Sequence, residues 1–254
     1  MALLEINGLD KSFGGLHAVN HVSFNVEQGM IKALIGPNGA GKTTLFNLLA
    51  GHLRPDHGAV IFNGRSIFRL SPDKIAEKGI LRTFQNIKLF PGMTVIENIL
   101  VGLHTKGKAG FLKSMVKWPG LKREEKSLAD RAYEMIEFFN LKECANMDVS
   151  QLSFGKQRAV EFARALASNP MMLLLDEPAA GLNISETKVL AGQIRKINES
   201  GTTILIVEHD MSLIMEISQE IVVLSYGVKI AEGCPTEIQK NPEVVRVYLG
   251  ENDA

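Results

Sequence analysis

Val22 to Val26 alternates apolar and polar residues and is followed by a Gln28-Gly29 turn, so the chain is expected to open with antiparallel strands. Met30 to Ile35 is a mostly apolar run that ends at glycine and predicts a buried strand. A Gly-rich loop over residues 36–43 comes next, and Thr44 to Ala50 has helical character, stopped near Gly51. Ala59 to Phe62 predicts a strand entering a hairpin turn at Asn63-Gly64. The middle of the chain changes period. Thr94 and Glu97 have capping-box spacing ahead of Ile96, Ile99, Leu100 and Leu103. A long amphipathic helix is predicted from about Glu124 to Asn140 and another from near Phe154 to Ser168, so residues 86–165 form a helical lobe. Met171 to Leu175 is then a five-residue apolar strand. Asn183 and Glu186 repeat the capping spacing before a helix that ends near Gly201. Thr202 to Val207 and Ile221 to Leu224 predict further strands, and Pro235 to Gly250 two short helices separated by Asn241-Pro242. The fold class is α/β: a core of residues 1–85 and 166–234 with an antiparallel β part, an inserted α-helical subdomain at about 86–165, and a helical tail at 235–254.

Bulk composition narrows the function classes. Lys plus Arg and Asp plus Glu are 28 each, so the net charge is zero and no nucleic acid is expected among the partners. The two cysteines, Cys144 and Cys234, form no C-x-x-C pair, which fits a reducing compartment. The N-terminus lacks a basic segment followed by a long apolar one, and no apolar run approaches the roughly 20 residues of a membrane span. The chain is not expected to cross a membrane by itself, which leaves docking on one open. Residues 105–123 carry five lysines and Arg123 without an acid, the pattern of a solvated loop or of a contact with a membrane subunit or anionic lipid.

Gly36-Pro37-Asn38-Gly39-Ala40-Gly41-Lys42-Thr43 matches G-x-x-x-x-G-K-[ST] at every fixed position. Glycines let backbone N–H groups converge on phosphate oxygens, and the helix after the loop, from Thr44, aims its positive end at the same anion. Lys42 supplies a compact cation for the terminal phosphates, and the Thr43 hydroxyl is a ligand for Mg²⁺. This is a P-loop, and ATP with Mg²⁺ is the expected ligand. The Met171–Leu175 run delivers Asp176 and Glu177 at its C-terminal end, where α/β sheets bind ligands. Asp176 can hold Mg²⁺ through its water shell, and Glu177 can polarise an attacking water.

Three further features narrow the choice. Leu152-Ser153-Phe154-Gly155-Lys156-Gln157-Arg158 resembles the L-S-G-G-Q signature of ABC ATPases at Ser153 and Gly155 and departs from it at Phe154 and Lys156. Gln85, in Thr83-Phe84-Gln85, stands where that family has its Q-loop, and His209 where it has its switch histidine. The order Gly-rich loop, Gln, Ser-x-Gly, Asp-Glu, His carries the resemblance, which covers about residues 4–234. It implies a P-loop NTPase core and an ATPase coupled to transport. Two subunits, identical or paralogous, would sandwich ATP between one P-loop, including Thr44, and the other's Ser153 and Gly155. It further implies that Gln85 and His209 serve catalysis, that Gln85 also reaches the metal, and that Phe13 stacks on adenine, the favoured reading over a mere plug for the first hairpin. Asn183 stands in the D-loop where many members have Asp. Pro178 to Asn183, Leu205 to Met211, Ile230 to Gly233 and Asn241 to Gly250 are similar to the ATPase subunits of branched-chain amino acid importers. Transmembrane permease subunits, indirectly a solute-binding protein, and a place on the cytoplasmic face of the membrane are implied by that resemblance. The lipopolysaccharide exporter ATPase is a close rival, and a soluble ABC ATPase the rival from another class.

Overall fold

The computed structural model describes residues 1–103 and 119–249. Most of the Lys-rich stretch at 105–123 lies outside the described residues. The chain forms two compact units, Met1–Arg82 with Met171–Ala254, and Thr83–Pro170.

The first unit starts with β1 (Ala2–Phe13), β2 (Leu16–Glu27) and β3 (Ile31–Ile35). It continues through α1 (Lys42–Leu49), β4 (His57–Phe62), β5 (Arg65–Ser66), α2 (Pro72–Glu77) and β6 (Ile80–Arg82). The second unit holds α3 (Val95–Gly102), α4 (Pro119–Phe138) and α5 (Phe154–Ala167). The first unit then resumes with β7 (Met172–Asp176), α6 (Ile184–Glu199), β8 (Thr203–Val207), α7 (Met211–Ile217), β9 (Glu220–Ser225), β10 (Val228–Gly233), α8 (Pro235–Lys240) and α9 (Pro242–Leu249).

Two sheets build the first unit: antiparallel β2-β1-β4-β5, and β10-β9-β3-β8-β7-β6. In the second sheet only β10 runs antiparallel, as an edge strand on β9. All five residues of β3, β7 and β8 are buried, which is why these strands read as continuous apolar runs rather than alternating ones. Lys32 breaks the run in β3. It is buried with two carboxylates, Glu220 at 2.9 Å and Glu232 at 2.5 Å, so its charge is compensated. Register brings the strand ends together. Leu34 pairs with Val207, and Val207 with Asp176, so β3, β8 and β7 finish at one edge of the sheet.

The second unit is helical. The capping box at α3 is present: Thr94 Oγ1 accepts the Glu97 N–H at 3.3 Å, and Glu97 Oε2 accepts the Thr94 N–H at 2.7 Å. A Cβ at Gly102 would stand 2.2 Å from the Arg164 carbonyl oxygen, so only glycine permits this approach of α3 to α5. Arg158 of α5 is buried beside Glu161 at 2.7 Å and donates to the carbonyls of Phe84 and Gln85, both at 2.9 Å. This clamps the backbone at the start of the unit to α5.

The boundaries differ from the sequence pattern in a few places. The helix expected from Glu124 already begins at Pro119, a residue suited to a first helical turn. The elements β6, α2, α7 and β10 carry no clear period of their own, being two turns or fewer or three to six residues of strand. No helix among the described residues is long and apolar enough to cross a membrane.

Candidate functional site

The Gly-rich loop joins the end of β3 to α1. Gly36 and Gly41 have φ of +152° and +98°, and a Cβ on either would come within 2.2 Å of a backbone oxygen, that of Leu224 or Ala18. The loop conformation therefore requires glycine at both positions. Gly41 is the N-cap of α1 and no side chain caps the helix, so the first N–H groups are left to a ligand. Lys42 is buried, and its Nζ donates to the carbonyls of Gly36 at 2.6 Å and Pro37 at 2.9 Å. Burial holds the Lys42 ammonium below its ordinary pKa, partly offset by the charge of Glu177. The two carbonyls thus hold the ammonium within the loop.

Asp176 ends β7. Its Oδ2 accepts from Arg82 Nη2 at 2.6 Å, while Arg82 Nη1 donates to Asn47 Oδ1 at 2.6 Å. Asp176 is thereby tied to both β6 and α1. Glu177, one residue on, has a left-handed backbone with φ of +46°, uncommon for a non-glycine residue and a mark of local strain. Its N–H still reaches the Val207 carbonyl at 2.9 Å, so the ends of β7 and β8 fix the turn. The Glu177 Oε1 lies 2.8 Å from His209 Nε2. The neighbouring Glu208 is buried. Its carboxylate accepts the N–H groups of Ala179 at 2.6 Å, His209 at 2.9 Å and Asp210 at 3.4 Å. Burial raises the Glu208 pKa above its ordinary value, and the three N–H groups oppose that shift. One carboxylate thus ties together the turns that carry Glu177 and His209.

A cavity of about 360 Å³ opens over the loop. Phe13, residues 38–44, Glu177, His209 and Tyr226 are on its wall. Of the expected residues in this unit, Asn38, Gly39, Ala40, Gly41, Lys42, Thr43, Thr44, Phe13, Glu177 and His209 come together there. Gly36 and Pro37 hold Lys42 through their carbonyls, and Asp176 sits on Arg82. Gln85, Ser153 and Gly155 belong to the second unit. Gln85 is exposed, with its carbonyl held by Arg158. Ser153 is exposed at the N-cap of α5, and its hydroxyl makes no capping bond, which leaves it free for another partner. Gln157 braces the turn before it by donating to the carbonyls of Val149 and Leu152, both at 3.1 Å.

Arg82, Glu208 and Tyr226 are among the site residues the sequence pattern missed. Glu208 carried a signal, being an acid directly after the buried run Thr203–Val207. The other two owe their place to strand pairing and had none.

A parallel sheet that ends in a glycine loop, with a buried lysine and an Asp-Glu pair at the same edge, defines a P-loop nucleoside triphosphatase. Comparison with known proteins refines this. Residues 19–180 match the family model described as ABC transporter, and residues 228–254 the one described as Branched-chain amino acid ATP-binding cassette transporter. The chain is 46% identical to the high-affinity branched-chain amino acid transport ATP-binding protein BraF of Pseudomonas aeruginosa, and 46% to LivG, of the same description, of Escherichia coli strain K12. Each alignment covers 98% of both chains. Among solved structures, the ADP conformation of MJ1267, an ATP-binding cassette of an ABC transporter, superposes with a TM-score of 0.85 at 33% identity, covering 99% of this chain and 100% of that one. The dimeric post-hydrolysis state of the cassette MJ0796, bound to ADP and Pi, gives 0.75 at 26% identity, covering 91% of this chain and 98% of that one. The chain belongs to the ABC transporter family, as an ATP-binding and ATP-hydrolysing subunit.

Proposed function

We propose that this chain powers import of branched-chain amino acids from the cytoplasmic face of the membrane. In this reading it works as one of two ATPase subunits docked on permease subunits that a solute-binding protein supplies. The observation that carries this reading is the match of residues 228–254 to the branched-chain cassette model, a region beyond residues 19–180, which match the general ABC transporter model. Relatives named for that transport, similar over nearly the whole chain, support it.

Roles divide among the residues of the cavity and the second unit. Lys42 exchanges the carbonyls of Gly36 and Pro37 for the terminal phosphates, and the loop amides and the α1 N-terminus hold the rest of the triphosphate. Phe13 stacks on the adenine. Glu177 is the general base that orients the attacking water, and His209, at 2.8 Å, fixes the rotamer of its carboxylate. Thr43 and Asp176 are hard oxygen donors, chemistry that fits Mg²⁺ and would hold it, and the resemblance to ABC ATPases adds Gln85. When bound, the ion neutralises charge on the phosphates. Ser153 and Gly155, at the start of α5, grip the nucleotide of the opposite subunit.

The test is uptake of labelled leucine, isoleucine and valine by cells lacking this gene. Uptake should be lost, return with the parental chain, and stay lost with Lys42→Ala. Unchanged uptake of all three in the deletion strain would contradict the substrate assignment.

A further inference from the structure

Ser225 pairs with Val228, so the β9–β10 hairpin turns through two residues, Tyr226 and Gly227. Their φ values are +46° and +80°, and positive φ at both central positions is the type I′ turn. That turn favours Asn-Gly, because asparagine tolerates the left-handed region and bulky side chains do not. Tyrosine is therefore strained here, and packing gives no compensation, since the residue is 88% exposed.

The turn is nevertheless held firmly. Gly227 N–H donates to the Ala40 carbonyl at 3.0 Å, and its own carbonyl accepts the Asn20 N–H at 2.8 Å. The hairpin tip is thus fastened to the phosphate loop on one side and to β2 on the other. Tyr226 stands on the wall of the same cavity as Lys42 and Phe13. A strained, exposed aromatic ring held in place by backbone bonds to a binding loop has no folding role to explain it.

We propose that Tyr226 is a nucleotide-contacting residue, whose ring packs on the sugar–phosphate part of the nucleotide while Phe13, at the end of β1, takes the base. The contact point is set by the anchor: the turn is pinned at Ala40, inside the phosphate loop. This inference rests on the reading of the cavity as the nucleotide site.

Calorimetric titration of the purified single protomer with Mg-ADP tests it, comparing the parental chain with Tyr226→Asn, Tyr226→Phe and Lys42→Ala. Tyr226→Asn installs the pair the turn prefers, so it should unfold at a temperature no lower than the parent. Its affinity for ADP should nonetheless fall roughly three- to tenfold, the scale of one lost aromatic contact. Tyr226→Phe keeps the ring and should retain parental affinity. Parental affinity in Tyr226→Asn, with binding lost in Lys42→Ala, would overturn the inference and leave the nucleotide site standing. Should the Asn variant bind ADP normally and fail only in ATP-driven dimerisation, the ring serves a second copy of the chain, and the inference is again overturned. Parental binding in Lys42→Ala would sink the cavity assignment itself.

Discussion

At the scale of single residues, charge compensation governs the site. Asp176 and Arg82 are both largely buried, and their pairing at 2.6 Å lets a carboxylate sit at the end of an otherwise apolar strand. The second arm of the guanidinium, on Asn47, adds a directional bond that a lysine could not reproduce. Removing one member of a buried pair leaves the other uncompensated. Arg82→Met is therefore expected to lose on the order of 3 kcal/mol of unfolding free energy in urea denaturation. An unchanged midpoint would show that Asp176 needs no partner. Glu208 applies the same logic to the backbone, since three N–H groups converge on one buried carboxylate. Its neighbour His209 projects onto Glu177 instead, so adjacent residues divide between holding the turn and reaching the carboxylate.

At the scale of elements, the starts of helices were the most legible feature. Thr94-x-x-Glu97 and Asn183-x-x-Glu186 both form reciprocal capping boxes, because the pattern is local and needs no distant partner. Asn183 thus has a structural task at the start of α6. Asparagine and aspartate cap about equally well, so Asn183→Asp should keep parental stability, while Asn183→Ala should lose about 1 kcal/mol by chemical denaturation. An alanine variant as stable as the parent would remove that task. The buried strands β3, β7 and β8 were also legible as mostly apolar runs bounded by turn residues, Lys32 being the one charge inside β3. By contrast, β6 is three residues long and includes Arg82, so nothing local marks it; only its pairing with β7 makes it a strand. The glycine loop could be read in full from spacing. The Glu177–His209 contact, the Arg82–Asp176 pair and the place of Tyr226 could not, because strand register sets them across long stretches of chain.

At the scale of the whole molecule, the first unit carries the phosphate loop, Asp176, Glu177 and His209, and the second carries Gln85 and the Ser153–Gly155 segment. An exposed serine at an α5 N-cap, making no capping bond of its own, is suited to an anion presented from outside the protomer. We propose that this anion is the nucleotide of a second subunit, so that ATP holds the pair together until Glu177 promotes hydrolysis. Glu177→Gln keeps the shape of the side chain and removes the base. It leaves Lys42, Thr43 and the loop amides in place, so Mg-ATP binding should survive. The decisive measurement is phosphate release by Glu177→Gln and the parental chain under saturating Mg-ATP, with binding verified in the same preparations. The variant should release phosphate roughly 10²–10⁴-fold more slowly with nucleotide still bound; release at the parental rate would contradict the role of Glu177 as the general base.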